Sequence, residues 1–135
     1  LQPATIRSWA IICFGDAPQQ VVQQFAGEIL KGFRNVGMGV PRDPPIPMMG
    51  NPYGDMRETM ASAIDKAKAA FGGPPDVIFH LLKGSSIPIY QAIKSALDVH
   101  LGIASQVMLM DKALGGRGQA QYIANIALKV RRSLY

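Results

Sequence analysis

The chain has 135 residues, 48% of them apolar and 17% charged, which suits one globular domain and excludes a disordered or low-complexity chain. No apolar run nears the ~20 residues needed to span a bilayer, and a lone cysteine excludes an internal disulfide. The net charge is +5, all of it in residues 83–135, which fits either an anionic partner or a merely solvated basic face.

The opening "LQPATIRSWAIICFG" has no initiator methionine, basic n-region or cleavage site, so it does not read as a signal peptide. The closing "ALKVRRSLY" still has a helical pattern, and both ends lead us to expect a single domain, 1–135, cut from a longer chain. "SWAIICF" (Ser8 to Phe14) is a short continuous apolar run, the mark of a strand covered on both faces. Its Cys13 reads as a buried structural thiol, and a reducing, cytoplasmic compartment fits. Asp16 and Gln19 form a D-x-x-Q capping pattern with Pro18 in the first turn. Val21, Val22, Phe25, Ile29 and Phe33 then follow at helical spacing. "NVGMGV" is expected to be a short strand, and the proline-rich stretch from Pro41 to Gly54 a long connection packed on the body.

Met56, Met60, Ile64 and Phe71 mark a second helix, ended by Gly72-Gly73 and Pro74-Pro75. "DVIFHLL" (Asp76 to Leu82) is a third buried strand. Pro88 opens a third helix with Ile89, Ile93 and Leu97 on its apolar face and Gly102 beyond its end. "SQVMLM" (Ser105 to Met110) is a fourth strand, and "GGRG" leads into a last helix carrying Ile123, Ile126, Ala127 and Val130. This alternation predicts an α/β, Rossmann-like fold: a four-stranded parallel sheet with right-handed crossovers and helices on both faces. Ligands of such sheets bind outside the carboxyl ends of the strands.

Several chemistries are excluded by what is missing. The first strand is followed by "GDAPQQ" rather than G-x-G-x-x-G, and "GFRNVGMG" has Met38 where a phosphate-binding loop needs lysine. A response-regulator-like acidic pocket needs carboxylates at the strand ends, where "LLKG" supplies a lysine. No Cys/His cluster has metal-ligand spacing, so neither a metal nor another cofactor is expected. His80, alternating within an apolar strand, reads as a hydrogen-bonded core histidine, and His100 as a residue at a helix C-terminus. "KGSSIP" puts Ser85 and Ser86 between strand and helix, where a hydrolase carries its nucleophile, but G-x-S-x-G is absent. A small α/β hydrolase using the same strand-end pocket is therefore the alternative from another class, and a purely structural interdomain module is a third.

In the third helix Tyr90 and Lys94 are an i,i+4 pair turned away from the Ile89/Ile93 stripe. Gln106 comes at the start of the fourth strand and Lys129 from the last helix, on an edge that could face the same rim. An aromatic ring offers a platform for a base, and lysines with a glutamine amide supply charge-assisted hydrogen bonds to a phosphate. That set suits a terminal nucleotide, since an internal phosphodiester carries one negative charge and two lysines match two. An exposed helix face with a partly buried tyrosine is the plain alternative.

"IPIYQAIKSALDVHLGIASQVMLMDKA" followed by "QYIANIALKV" closely resembles the MID domain of eukaryotic Argonaute proteins, fungal ones in particular. The resemblance extends to "RSWAIICFG" and "DVIFHLLKG" and so covers nearly the whole chain. It implies anchoring of the 5′ end of a small guide RNA, with nucleoside 5′-monophosphates as minimal ligands and an adjoining PIWI domain as neighbour. Tyr90 would stack on the first base, and Tyr90, Lys94, Gln106 and Lys129 would surround the 5′ phosphate. Gly84, Ser85, Ser86, Ile87 and Pro88 match the family's nucleotide-specificity loop. One departure is Ser133, which stands where the family usually has a further phosphate-contacting lysine, with Arg131 or Arg132 as possible substitutes. Cleavage in the family belongs to PIWI, so no catalytic residue is expected here.

Overall fold

The computed structural model describes residues 4–134. Four parallel strands, β1 (Trp9–Phe14), β2 (Met48–Met49), β3 (Val77–Leu82) and β4 (Ala104–Leu109), lie in the order β2-β1-β3-β4. The helices are α1 (Gln19–Asn35), α2 (Met56–Phe71), α3 (Ile87–Leu97), α4 (Met110–Ala113) and α5 (Gln119–Leu134). The expected architecture is therefore the observed one, with α1 and α5 on one face of the sheet and α2 and α3 on the other.

Alternation sorts the buried strand residues between the two faces. Trp9, Ile11 and Cys13 of β1 and Val77, Phe79 and Leu81 of β3 pack under α1 and α5. Ala10, Ile12, Phe14, Ile78 and Leu82 pack under α2 and α3 with Met56, Met60 and Ile64, so the methionine stripe is core. Trp9, Phe33 and Phe79 form a triangle of rings with all three centroid distances at 5.8 Å, tying α1 to the two central strands. Cys13 is fully buried beside Met110 Sδ at 4.0 Å, and burial pushes its thiol pKa up, which makes it inert.

Three local expectations fail for identifiable reasons. The Asp16–Gln19 capping box does not form: α1 is capped by Pro18 without a side-chain bond, and Gln19 Nε2 donates to the Pro47 carbonyl instead. "NVGMGV" is not a strand, because Gly37 adopts the left-handed φ of 79° that turns the chain out of α1. Only Gly39 then makes an isolated bridge, to Thr5, and the second strand is Met48–Met49, inside the proline-rich connection. That connection does pack on the body through the buried Pro45 and Pro47, although Ile46 and Tyr53 remain exposed. The fourth strand also ends one residue early, as Met110 opens the short α4.

His80 is a core residue, as expected, but not a hydrogen-bonded one. It is fully buried among Ile12, Val107 and the Phe14 ring, and neither ring nitrogen has a hydrogen-bond partner among the described residues. Burial takes its imidazole from the ordinary 6.5 down to about 3. Between those values the unfolded chain holds a proton that the folded chain lacks, so this contribution is intact above pH 6.5 and is lost as pH falls towards 3. Relative to His80→Leu, the wild type should lose about 1.4 kcal/mol of stability per pH unit in that window. Urea melts at pH 7, 5.5 and 4.5 check it, and parallel pH profiles for the two proteins would refute it.

Candidate functional site

The loop after β3 and the first turn of α3 are shaped by Ser86. Its Oγ accepts the Ile89 N–H at 3.4 Å as the helix N-cap, and Pro88 follows in the first turn, where a missing N–H costs nothing. With Ile93, Ala96 and Leu97 turned to the core, Tyr90 and Lys94 come out together on an adjacent face. Tyr90 is 44% exposed, so it is no core tyrosine. Lys94 Nζ stands 5.6 Å from the centre of its ring, within cation–π range.

Beside this face lies a pocket of about 230 Å³ lined by Leu82, Ser85, Ser86, Ile87, Tyr90, Val107 and Leu109. The carboxyl ends of β3 and β4 form its floor, on the α3 side of the sheet. The expected loop and the expected aromatic ring thus share one cavity. Gly84 adds a second fact: a Cβ there would meet nothing within 4 Å, and its φ is not left-handed. The fold itself does not require glycine at this position.

Gln106 is placed differently from Tyr90. It is the third residue of β4, opposite Phe79, so it lies partway down the strand and on the α5 side. β4 is an edge strand, and its even residues direct their main-chain groups to β3, as the Ala104 N–H to Asp76 carbonyl bond requires. Those of Val107 and Leu109 therefore face outward. Gln106 Nε2 donates to the Val107 carbonyl at 3.0 Å, and the Leu109 N–H donates to Tyr122 Oη at 3.1 Å. The Val107 N–H, like that of Ser105 before it, is left as an outward main-chain donor.

Lys129 is exposed on α5, two turns after Tyr122 and on the same stripe of the helix. Among the described residues neither Lys94 nor Lys129 has an ion pair. Ser133 Oγ donates back to the Lys129 carbonyl at 3.1 Å, a local helix bond rather than an open hydroxyl. Arg132 is one turn from Lys129 on a neighbouring stripe, whereas Arg131 points away by about half a turn. No hydrogen bond joins Lys94, Gln106 and Lys129; they belong to α3 on one face of the sheet, to β4 itself and to α5 on the other face.

Sequence reasoning missed Val107, Leu109 and Tyr122. The alternation of β4 could have given the first two, which share a face with Leu82. Tyr122 carried one signal, a polar tip on the same stripe as the buried Ile126. A larger cavity of about 410 Å³ lies at the opposite edge of the sheet, between the connection at Pro45–Met48 and α2. Its walls are largely Ala63, Ala67, Ala70 and Phe71, with Lys66 as the one charged group. The hydrolase alternative finds no support: Ser86 Oγ is the helix cap, Ser85 lines the pocket without a hydrogen-bonded base among the described residues, and His80 is sealed in the core without a partner among them.

No family model matches the chain. Over 133 residues it is 28% identical to the Caenorhabditis elegans protein tag-76, a match that takes in 98% of this chain but spans only 12% of that protein. Among solved structures it is similar to the N. crassa QDE-2 AGO MID domain, with TM-score 0.75 and 22% identity over 94% of this chain and 97% of that one. It is similar also to the Arabidopsis thaliana AGO5 MID domain, with TM-score 0.76 and 22% identity over 99% of this chain and 92% of that one. The fold is that of Argonaute MID domains.

Two substitutions separate the structural serine from the structurally idle tyrosine. Ser86→Ala should destabilise by about 0.5–2 kcal/mol through loss of the cap. Tyr90→Ala, at a half-exposed position, should change stability by no more than about 0.5 kcal/mol. Chemical denaturation measures both, and a large loss for Tyr90→Ala would make it a packing residue.

Proposed function

We propose that this chain is the guide-anchoring domain of a larger, cytoplasmic small-RNA silencing protein. It binds the 5′-phosphorylated first nucleotide of a guide RNA and performs no chemistry of its own. The observation that carries this reading is the pocket beside Tyr90, with an unpaired lysine on the same helix face and a second basic helix across the edge strand. A PIWI domain is the expected neighbour in the parent protein, in line with the small share of the curated relative that the chain spans.

The chemistry divides by group. The Tyr90 ring takes the face of the first base, a contact worth about 1–3 kcal/mol when truncated. The apolar floor of Leu82, Val107 and Leu109 shields it from water. Lys94 and Lys129 match the two charges of a terminal phosphate, and Gln106 keeps one Nε2 hydrogen free beyond the bond to Val107. The outward Val107 N–H adds a main-chain donor without any change in the sheet. Gly84 leaves room for the base edge to approach the loop backbone.

Uridine 5′-monophosphate should therefore bind and uridine bind much less, because the lysines and Gln106 act on the phosphate alone. With about 21 heavy atoms at roughly 0.3 kcal/mol each, affinity should be no better than tens of micromolar. Lys94→Ala should cost about 1.5–3 kcal/mol of that binding while leaving the fold intact. NMR titration of nucleoside and nucleotide tests both, and equal shifts from the two would remove the phosphate site.

Base preference should follow from the loop backbone, since stacking is tolerant of sequence. A fixed N–H and C=O at Gly84–Pro88 pair with the O4 acceptor and N3–H donor of uracil. Cytosine reverses both groups, and guanine adds size and an amino group. The uridine form should bind best, and the cytidine and guanosine forms worst, over a range of about 1–2 kcal/mol. Gly84→Ala should narrow that range with an unchanged melting temperature. Four titrations at one salt concentration decide it, and four equal affinities would leave the loop a connector.

A further inference from the structure

We propose that Tyr122 is a positioning residue for phosphate recognition: its hydroxyl sets how α5 lies along β4, and so where Lys129 stands. The inference rests on the guide-anchoring reading above and assigns a task to a residue that never meets the ligand.

Lys129 projects from a helix that makes one direct side-chain hydrogen bond to the strand it flanks, the Leu109 N–H to Tyr122 Oη bond at 3.1 Å. The remaining grip is apolar packing of Ile123, Ile126, Ala127 and Val130, which tolerates small slides along the helix axis. A hydrogen bond does not, because its strength falls steeply with distance and angle. α5 starts at the carboxyl end of β4, where Gln119 Nε2 donates to the Ala113 carbonyl at 2.8 Å, and returns along the strand. From Tyr122 to Lys129 is seven residues, about 10 Å of helix rise and within about 20° of two full turns. From Leu109 back to Gln106 is three residues, also about 10 Å of strand. Equal offsets from one fixed point bring Lys129 level with Gln106 on the open side of β4. Removing the fixed point loosens that alignment, and it reaches the Tyr90 pocket on the other face only through Leu109, one of the residues that line it.

The test compares Tyr122→Phe, Lys129→Ala and the double variant, each titrated with uridine 5′-monophosphate and with uridine. Tyr122→Phe should weaken the monophosphate about three- to tenfold and leave uridine unchanged. In the double variant it should add nothing to the loss caused by Lys129→Ala, since it acts through that lysine. Amide exchange of Leu109 should speed up in Tyr122→Phe without ligand. An equal loss for both ligands, an additive double variant or an unchanged Leu109 amide would overturn the positioning role. If Lys129→Ala weakens the monophosphate and Tyr122→Phe does not, this inference alone falls. If the wild type fails to distinguish monophosphate from uridine, the guide-anchoring reading falls and takes this one with it.

Discussion

β4 is hydrogen-bonded along one side only, and the candidate site is built on its other side. An open strand edge exposes a row of main-chain donors and acceptors that will pair with whatever reaches them. Here Gln106 Nε2 covers the Val107 carbonyl, Tyr122 Oη covers the Leu109 N–H, and α3 and α5 stand on either side. The edge is thereby closed to another strand without being buried. What stays open is the outward N–H groups of Ser105 and Val107, an exposed ring and two lysines without counter-ions, a surface suited to an anion with an aromatic attachment.

The opposite edge is finished by other means. β2 has only two residues and sits among prolines, which cannot donate to a ladder. The two edges therefore differ in kind: one is shut by proline and brevity, the other is lined with donors. Between them β1 and β3 are wholly buried, and the Trp9, Phe33 and Phe79 rings lock α1 against them. This dry centre gives the site a rigid floor at Leu82. It also imposes a cost at His80, whose two nitrogens go without partners. A buried imidazole kept neutral is tolerable near neutral pH and a liability in acid.

The likeness to Argonaute MID domains and the local chemistry point the same way but carry different weight. At 22% identity the structural likeness speaks for the fold. The case for a nucleotide rests on this chain's own residues: a loop glycine the fold does not need, a half-exposed Tyr90, and two lysines without an ion pair among the described residues. The structure also weighs against the hydrolase alternative, because Ser86 is committed to capping a helix and Ser85 has no hydrogen-bonded base beside it among the described residues.

Much of this was legible in the sequence because it depends on short-range periodicity. Continuous apolar runs gave β1 and β3, helical spacing gave α1, α2, α3 and α5, and the i,i+4 spacing put Tyr90 and Lys94 on one face. Element order brought Gln106 and Lys129 into consideration, and resemblance assigned them a phosphate. The sequence misplaced β2, since a two-residue strand has no period and is defined only by its pairing with Ile12 and Cys13. It could not tell that β4 is an edge, which depends on the order of strands across the sheet. From that one non-local fact follow the outward Val107 N–H and the Tyr122 contact. Composition and spacing determine which groups a chain carries and on which face of an element they stand. Only the packing of elements distant in sequence decides which of those faces meet, because hydrogen bonds and buried contacts form between neighbours in space.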